Sequence, residues 1–226
     1  MHNALSAYTA VVATGNGGKS EEVLRILARL GIRAVTLESL GFAVLDVEET
    51  QTTYTGNARL KANAHFDQHS RDITEKLGKE TWFLVCEDFG LAVDALLCLA
   101  TTEQGYTGFP GLYTRRFHPG TDADRARKVL YLLKQRWAAV RTAKFFCGVA
   151  LRGPGIDLAE LRLCNGQITI EPRGDQSSFP LDQIFIPSLD REARTFGEMR
   201  PEAKDRISAR GLAVRAVVEE LLKKLA

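Results

Sequence analysis

An apolar, largely β-branched run from Thr9 to Ala13 breaks off at Thr14-Gly15-Asn16-Gly17-Gly18, and Val23, Ile26, Leu27 and Leu30 then recur at helical spacing as far as Gly31. Strand, glycine-rich loop and helix are therefore predicted in immediate succession. Ile32 to Leu37 reads as a second short strand, and Asp46 to Thr55 is polar and acidic. A helix is predicted from about Gly56, carrying Asn57, Arg59 and Lys61, with His65 and His69 four residues apart on one solvated face. Trp82 to Cys86 is a continuous apolar run of central-strand length that ends at Glu87-Asp88, and Thr101 to Pro110 is a polar loop. Thr121 and Asp124 form a capping-box pattern ahead of Ala126, Val129, Leu130, Leu133 and Trp137 on one helix face. Phe145, Cys147, Val149 and Leu151 alternate as in a strand, and Leu158–Cys164 and Gln167–Glu171 flank Asn165-Gly166, a dipeptide that favours a tight hairpin. Leu181 to Pro187 is a further apolar stretch, and Leu212, Val218, Leu221, Leu222 and Leu225 line a C-terminal helix. Early strand–helix alternation with a later hairpin predicts an α/β (mixed α+β) fold, a mixed β-sheet flanked by helices.

Composition narrows the class without naming a chemistry. With 226 residues, 45% hydrophobic and 26% charged, the chain suits one large domain or two lobes and needs no disulfide staple. A formal charge of +2 does not suggest a nucleic-acid binder, and no apolar run reaches membrane-spanning length. Cys86, Cys98, Cys147 and Cys164 are widely spaced with no C-x-x-C, which argues against a zinc site and for a reduced, cytoplasmic protein. The His65/His69 pair lacks a third ligand and reads as surface.

The chemistry gathers at two places. In the loop Thr14–Lys19, glycines allow backbone N–H groups to approach an anion, the following helix N-terminus adds positive potential, and Lys19 adds a full charge. Glu87 and Asp88 at a buried strand are costly unless they meet a cation, hydrogen bonds or water. Ala13 to Ser20 falls one glycine short of G-x-x-x-x-G-K-[ST], so a P-loop ATPase or kinase competes for the same residues.

Taken in order, six segments resemble the inosine/xanthosine triphosphate pyrophosphatase family, house-cleaning enzymes for non-standard purine nucleotides. Ala13-Thr14-Gly15-Asn16 with Lys19 resembles T-G-N-x-x-K, and Glu48-Glu49-Thr50 with Asn57-Ala58-Arg59-Leu60-Lys61-Ala62 resembles E-E-T…E-N-A-x-x-K-A. Glu87 to Leu96 resembles D-D-S-G-L-x-V-x-A-L, and Gly108 to Tyr113 with Arg116 resembles G-x-P-G-x-Y-S-x-R. Phe179, Asp182, Ile184 and Phe185 match F-G-Y-D-P-I-F in part, and Phe196 to Gly211 follows F-x-E-M…E-x-K-x-x-I-S-H-R-G.

The resemblance implies one two-lobed domain over residues 1–226 with a nucleotide-binding cleft between the lobes, assembled as a homodimer. It implies hydrolysis of (d)ITP/XTP-type triphosphates at the α-phosphorus to monophosphate and pyrophosphate with Mg²⁺. Glu49, Glu87 and Asp88 are the metal candidates, and Asp88, Lys19 and Glu49 the catalytic ones. Thr14, Gly15, Asn16, Lys19, Asn57, Lys61 and Arg116 would meet the substrate's phosphates and their surroundings. Phe179 would stack the base, with Asp182, Lys204, Ser208 and Arg210 around its edge. The chain departs from the pattern at Gly56 (glutamate in the family), Phe89 (a small residue), Pro180-Leu181 (Gly–aromatic), Gln183 (proline) and Ala209 (histidine), and it is longer around Leu97 to Thr107. Most of these departures lie among the base-recognition groups, so the same chemistry on another nucleotide is one alternative, and a non-catalytic nucleotide-binding homologue is a second.

Overall fold

The structure, a computed structural model, describes residues 5, 7–15, 17–78, 81–100, 108–137 and 140–225. Its strands are β1 (Tyr8–Val12), β2 (Arg33–Thr36), β3 (Thr81–Val93), β4 (Pro110–Gly111), β5 (Thr142–Gly153), β6 (Ile156–Ile168) and β7 (Phe185–Pro187). They follow the sheet order β2-β1-β3-β5-β6-β7, with β4 on β3. The pairs β1–β2 and β1–β3 are parallel, whereas β3–β4 and β6–β7 are antiparallel, so the sheet is mixed. The helices are α1 (Gly17–Arg29), α2 (Tyr54–Leu77), α3 (Asp122–Gln135), α4 (Pro201–Ile207) and α5 (Ala209–Leu225). Among the described residues no helix is long and apolar enough to cross a membrane.

The chain forms two compact units. One comprises Met1–Asp88, Cys147–Arg162 and Arg210–Ala226, the other Phe89–Phe146 and Leu163–Ala209.

In the first unit, Trp82, Leu84 and Cys86 on one face of β3 pack with Ala58, Ala62 and Ile73 of α2 and with Val11, Leu37 and Leu40. Strand alternation sends the next even-numbered side chain, Asp88, toward the α2 side and the odd-numbered Glu87 to the opposite face. Thr53 starts α2 by accepting the Gly56 N–H on its hydroxyl at 3.0 Å. A Cβ at Gly56 would stand 2.8 Å from that hydroxyl and 2.9 Å from Gln51 Cβ, which is why this first turn carries no side chain there.

In the second unit the capping box forms as expected. Thr121 Oγ1 accepts from Asp124 N at 3.2 Å, and Asp124 Oδ2 accepts from Thr121 N at 2.7 Å. Ala126, Val129 and Leu133 are buried on α3, but Trp137 lies beyond the helix and is almost wholly exposed, because α3 ends at Gln135. Phe145, Phe185 and Phe196 form an aromatic core with ring centroids 4.3 to 6.3 Å apart.

Besides Trp137, three expectations are corrected. The strand that begins at Thr81 does not stop at Glu87-Asp88 but runs on to Val93, since Leu91 and Val93 continue the apolar pattern and bury fully. Asn165-Gly166 does not turn; β6 passes straight through it, and the reversal between β5 and β6 falls at Pro154-Gly155, where Gly155 takes φ +73°. Gly166 is glycine for another reason. A Cβ there would sit 2.3 Å from Ile186 O and 2.4 Å from the Phe185 ring, so β7 could not lie against β6. Finally, His65 and His69 are buried, not solvated.

Candidate active site

The first unit builds its polar centre just past the end of the parallel β1–β3 pairing, beside the C-terminal end of β1. Register pairs Val12 of β1 with Val85 of β3, and Ala13 N donates to Val85 O at 3.1 Å. The chain then leaves β1 through Thr14 and Gly15 and enters α1, while β3 continues to Glu87 and Asp88. Ser20 Oγ donates to Thr14 O at 3.2 Å and so ties the loop to the first turn of the helix. Gly15 is exposed, and Asn16 lies outside the described residues.

Alternation along β3 gives the two adjacent carboxylates different surroundings. On the α2 side, Asn57 Nδ2 donates to Asp88 Oδ2 at 2.9 Å, and Asn57 Oδ1 accepts from Gln51 N at 2.9 Å. One turn on, Lys61 Nζ reaches Glu49 Oε1 at 2.6 Å, Asp88 Oδ1 at 3.4 Å and the Glu87 carbonyl at 3.1 Å. Burial opposes the charge on Lys61, but the carboxylates of Asp88, Glu49 and Glu87 outweigh it and hold its pKa above the ordinary lysine value. Glu49 comes from the irregular segment ahead of α2, so its place depends on the helix that it packs along.

On the other face, Glu87 is enclosed by cations. Arg210 donates from Nε to Glu87 Oε2 at 2.5 Å and from NH2 to Oε1 at 3.2 Å, while Lys19 Nζ stands 3.2 Å from Oε1. Arg210 NH1 also donates to Glu22 Oε2 at 2.7 Å, and the Cys147 thiol lies 3.5 Å from Glu87 Oε2. Glu22, Glu87 and Arg210 are all buried. Burial pushes the Glu87 carboxyl upward, but Arg210 and then Lys19 overcome it and keep its pKa well below the usual carboxylate range. Beside that negative charge, burial holds the Cys147 thiol protonated.

A third polar tier follows on α2. Asn57, Lys61, His65 and His69 recur every fourth residue, and His69 Nε2 lies 3.1 Å from Ala43 O. Phe42 stacks on His69 at 5.4 Å, so the segment ahead of Glu49 covers this face and removes it from water. His65 is 1% exposed, its Nδ1 has no hydrogen-bond partner among the described residues, and burial, with His69 beside it, pushes its pKa down to about 4.

The second unit holds a separate group. Phe179 and Phe89 meet edge-to-face at 6.1 Å and 72°. Lys204 Nζ pairs with buried Asp182 at Oδ2, 2.6 Å away, and Ser208 N donates to Lys204 O at 2.8 Å. Arg116 is exposed, its guanidinium 5.2 Å above the Tyr113 ring.

A family model described as the Ham1 family matches residues 10–220. The chain belongs to the Ham1 family. It is similar to a dITP/XTP pyrophosphatase of Gloeobacter violaceus, 39% identical over 92% of this chain and 91% of that protein. A dITP/XTP pyrophosphatase of Synechocystis sp. is 36% identical over 94% of each. Among solved structures, a HAM1 protein from Coxiella burnetii aligns with TM-score 0.68 at 29% identity, covering 96% of this chain and 99% of that one.

Of the residues singled out in this Ham1 chain, the structure gathers Glu49 and Asp88 at the Lys61 ammonium, Asn57 at Asp88, and Lys19 and Arg210 at Glu87. Arg210 sits with these acids in the first unit, whereas Phe179, Asp182, Lys204 and Ser208 belong to the second. Among the described residues, no group of three or more His, Cys, Asp or Glu side chains is arranged to hold a metal ion. Sequence reasoning missed Glu22 and Cys147. Glu22 carried a readable signal: an acid three residues after Lys19, directly before the buried Val23 of the apolar helix face.

Proposed function

We propose that this Ham1-family protein is a nucleoside triphosphate pyrophosphohydrolase acting on purine nucleotides of the (d)ITP/XTP type, as its dITP/XTP pyrophosphatase relatives suggest. The observation that carries the reading is Asp88, held by Asn57 at one oxygen and facing Lys61 at the other, with Glu49 on the same ammonium. Asp88 is thereby oriented to take a proton from the water that attacks the α-phosphorus. The new P–O bond forms as the bond to the β-phosphate bridging oxygen breaks, giving the monophosphate and pyrophosphate. Lys61, Lys19 and the loop backbone at Thr14 and Gly15 are placed to offset triphosphate charge.

Magnesium is the proposed cofactor. Glu49 and Asp88 offer the oxygen donors that a hard cation prefers, a set that water and substrate phosphate complete. Bound there, Mg²⁺ would stabilise negative charge on the phosphates. Glu87 is left out of this ligand set, because Arg210 and Lys19 hold its carboxylate. Phe179, with Asp182, Lys204 and Ser208, is the proposed base-binding group. A cytoplasmic homodimer completes the reading, and sedimentation velocity tests the dimer.

The deciding experiment is pyrophosphate release with Mg²⁺ across ITP, dITP, XTP and the standard nucleotides, with Asp88→Asn as control. Preferential cleavage of ITP and XTP, reduced at least about a hundredfold in the control, is expected for a lost general base. Turnover on another nucleotide would keep the chemistry and move the substrate. Nucleotide binding without turnover would favour the second reading, a non-catalytic binder, for which Gly56 in place of the family's glutamate speaks.

A further inference from the structure

Phe89 directly follows Asp88, at a position where the resembled pattern has a small residue. Its ring does not stand alone. Phe145 lies 4.8 Å from it and is itself buried against Phe185 at 4.3 Å. Phe89 also meets Phe179 at 6.1 Å, edge-to-face at 72°. Phe145 and Phe185 are buried, whereas Phe89 and Phe179 are half-buried. The polar groups nearby in sequence have moved the other way. Leucine and alanine occupy positions 181 and 209, both buried, where the pattern has an aromatic and a histidine, and Asp182 is already closed by Lys204. Apolar ring surface has thus been added beside Phe179 while side chains able to read a base edge have been lost.

We propose that Phe89 is a positioning residue for nucleobase stacking: anchored on Phe145, it fixes the Phe179 ring as a rigid apolar face for the purine. The inference rests on the pyrophosphohydrolase reading above. A ring face carries no donor or acceptor pattern, so the contribution is the same for every purine. It is a binding contribution made before and during the reaction alike, so it acts on KM and leaves kcat in place.

The test is a double-mutant cycle on pyrophosphate release from ITP and GTP, using wild type, Phe89→Ser, Phe179→Ala and the pair, each first shown by thermal melting to be folded at the assay temperature. Phe89→Ser is expected to raise KM about threefold to tenfold for both nucleotides, the range of an aromatic pair, with kcat within twofold. In the Phe179→Ala background the same change is expected to do nothing further, and Phe89→Tyr to restore wild-type KM. An unchanged KM in Phe89→Ser, an equal rise in both backgrounds, or a fall in kcat alone overturns the proposal while leaving the enzyme reading intact. A wild type that releases no pyrophosphate from any nucleotide overturns both.

Discussion

Arg210 is the side chain whose loss has the most predictable consequence. Its guanidinium donates to Glu87 at 2.5 and 3.2 Å and to Glu22 at 2.7 Å, with all three residues buried. Replacing it with methionine keeps most of the packing but takes the guanidinium away from two buried carboxylates, with Lys19 remaining 3.2 Å from Glu87. Removing one partner of a buried ion pair costs about 3–5 kcal/mol, against total stabilities of about 5–15 kcal/mol. For a chain of this size that is a fall in Tm of about 6–20 °C. Calorimetry at pH 7 measures it, and pH separates the cause. In the wild type the Glu87 pKa is depressed on folding, so its stabilisation is present above the unfolded value of about 4.3 and is lost as pH falls through the folded value. In Arg210→Met burial dominates and raises the folded pKa above the unfolded one, so stability is lost as pH rises and recovers on acidification. Between about pH 7 and 5 the wild-type contribution of Glu87 is therefore flat, whereas the variant is expected to gain stability on acidification, and neutralising the acids with Glu22→Gln and Glu87→Gln should restore most of the lost stability. A methionine variant within about 1 kcal/mol of wild type with an unchanged pH slope would refute the argument.

Three further outcomes follow from the same geometry. Lys61→Met leaves Glu49 and Asp88 facing each other without their shared ammonium, and should lower pyrophosphate release at least about a hundredfold in the nucleotide assay. Burial sets the folded His65 pKa at about 4 against about 6.5 unfolded, so stability should fall as pH drops between those values, by up to about 3 kcal/mol; urea titrations should show a flatter profile for His65→Gln. Gly166→Ala places a methyl 2.3 Å from Ile186 O, and should destabilise by about 1–3 kcal/mol in the same titrations, whereas a hairpin glycine in a left-handed turn would respond to Asn substitution far better than to Ala.

Where local chemistry decided the structure, the sequence was readable. The capping box at Thr121 and Asp124, the buried run from Trp82, and the strand–loop–helix order around Gly15 all depend on neighbours within a few residues. Where a distant segment decided it, the local signal misled. Asn165-Gly166 has the composition of a tight turn, yet its glycine is there because β7 presses against it from twenty residues away. His65 and His69 look like a solvated pair until the chain from Phe42 onward is laid across them. Trp137 kept helical spacing after the helix itself had ended.

The least legible feature was the one that organises the candidate site. Glu87 and Asp88 are adjacent acids, and both were metal candidates together with Glu49. In a strand interior successive side chains leave on opposite faces. Each face then needs its own neutralising partners: α2 supplies Asn57 and Lys61 to Asp88, while α1 and α5 supply Lys19 and Arg210 to Glu87. Asp88 has one oxygen held by the neutral amide of Asn57 and the other beside Lys61, the surroundings on which its proposed role as proton acceptor rests. Glu87, fixed by a buried arginine and held ionised, is suited instead to placing Lys19 beside the loop. The two carboxylates therefore have different surroundings, and that difference comes from the two-residue period of the strand.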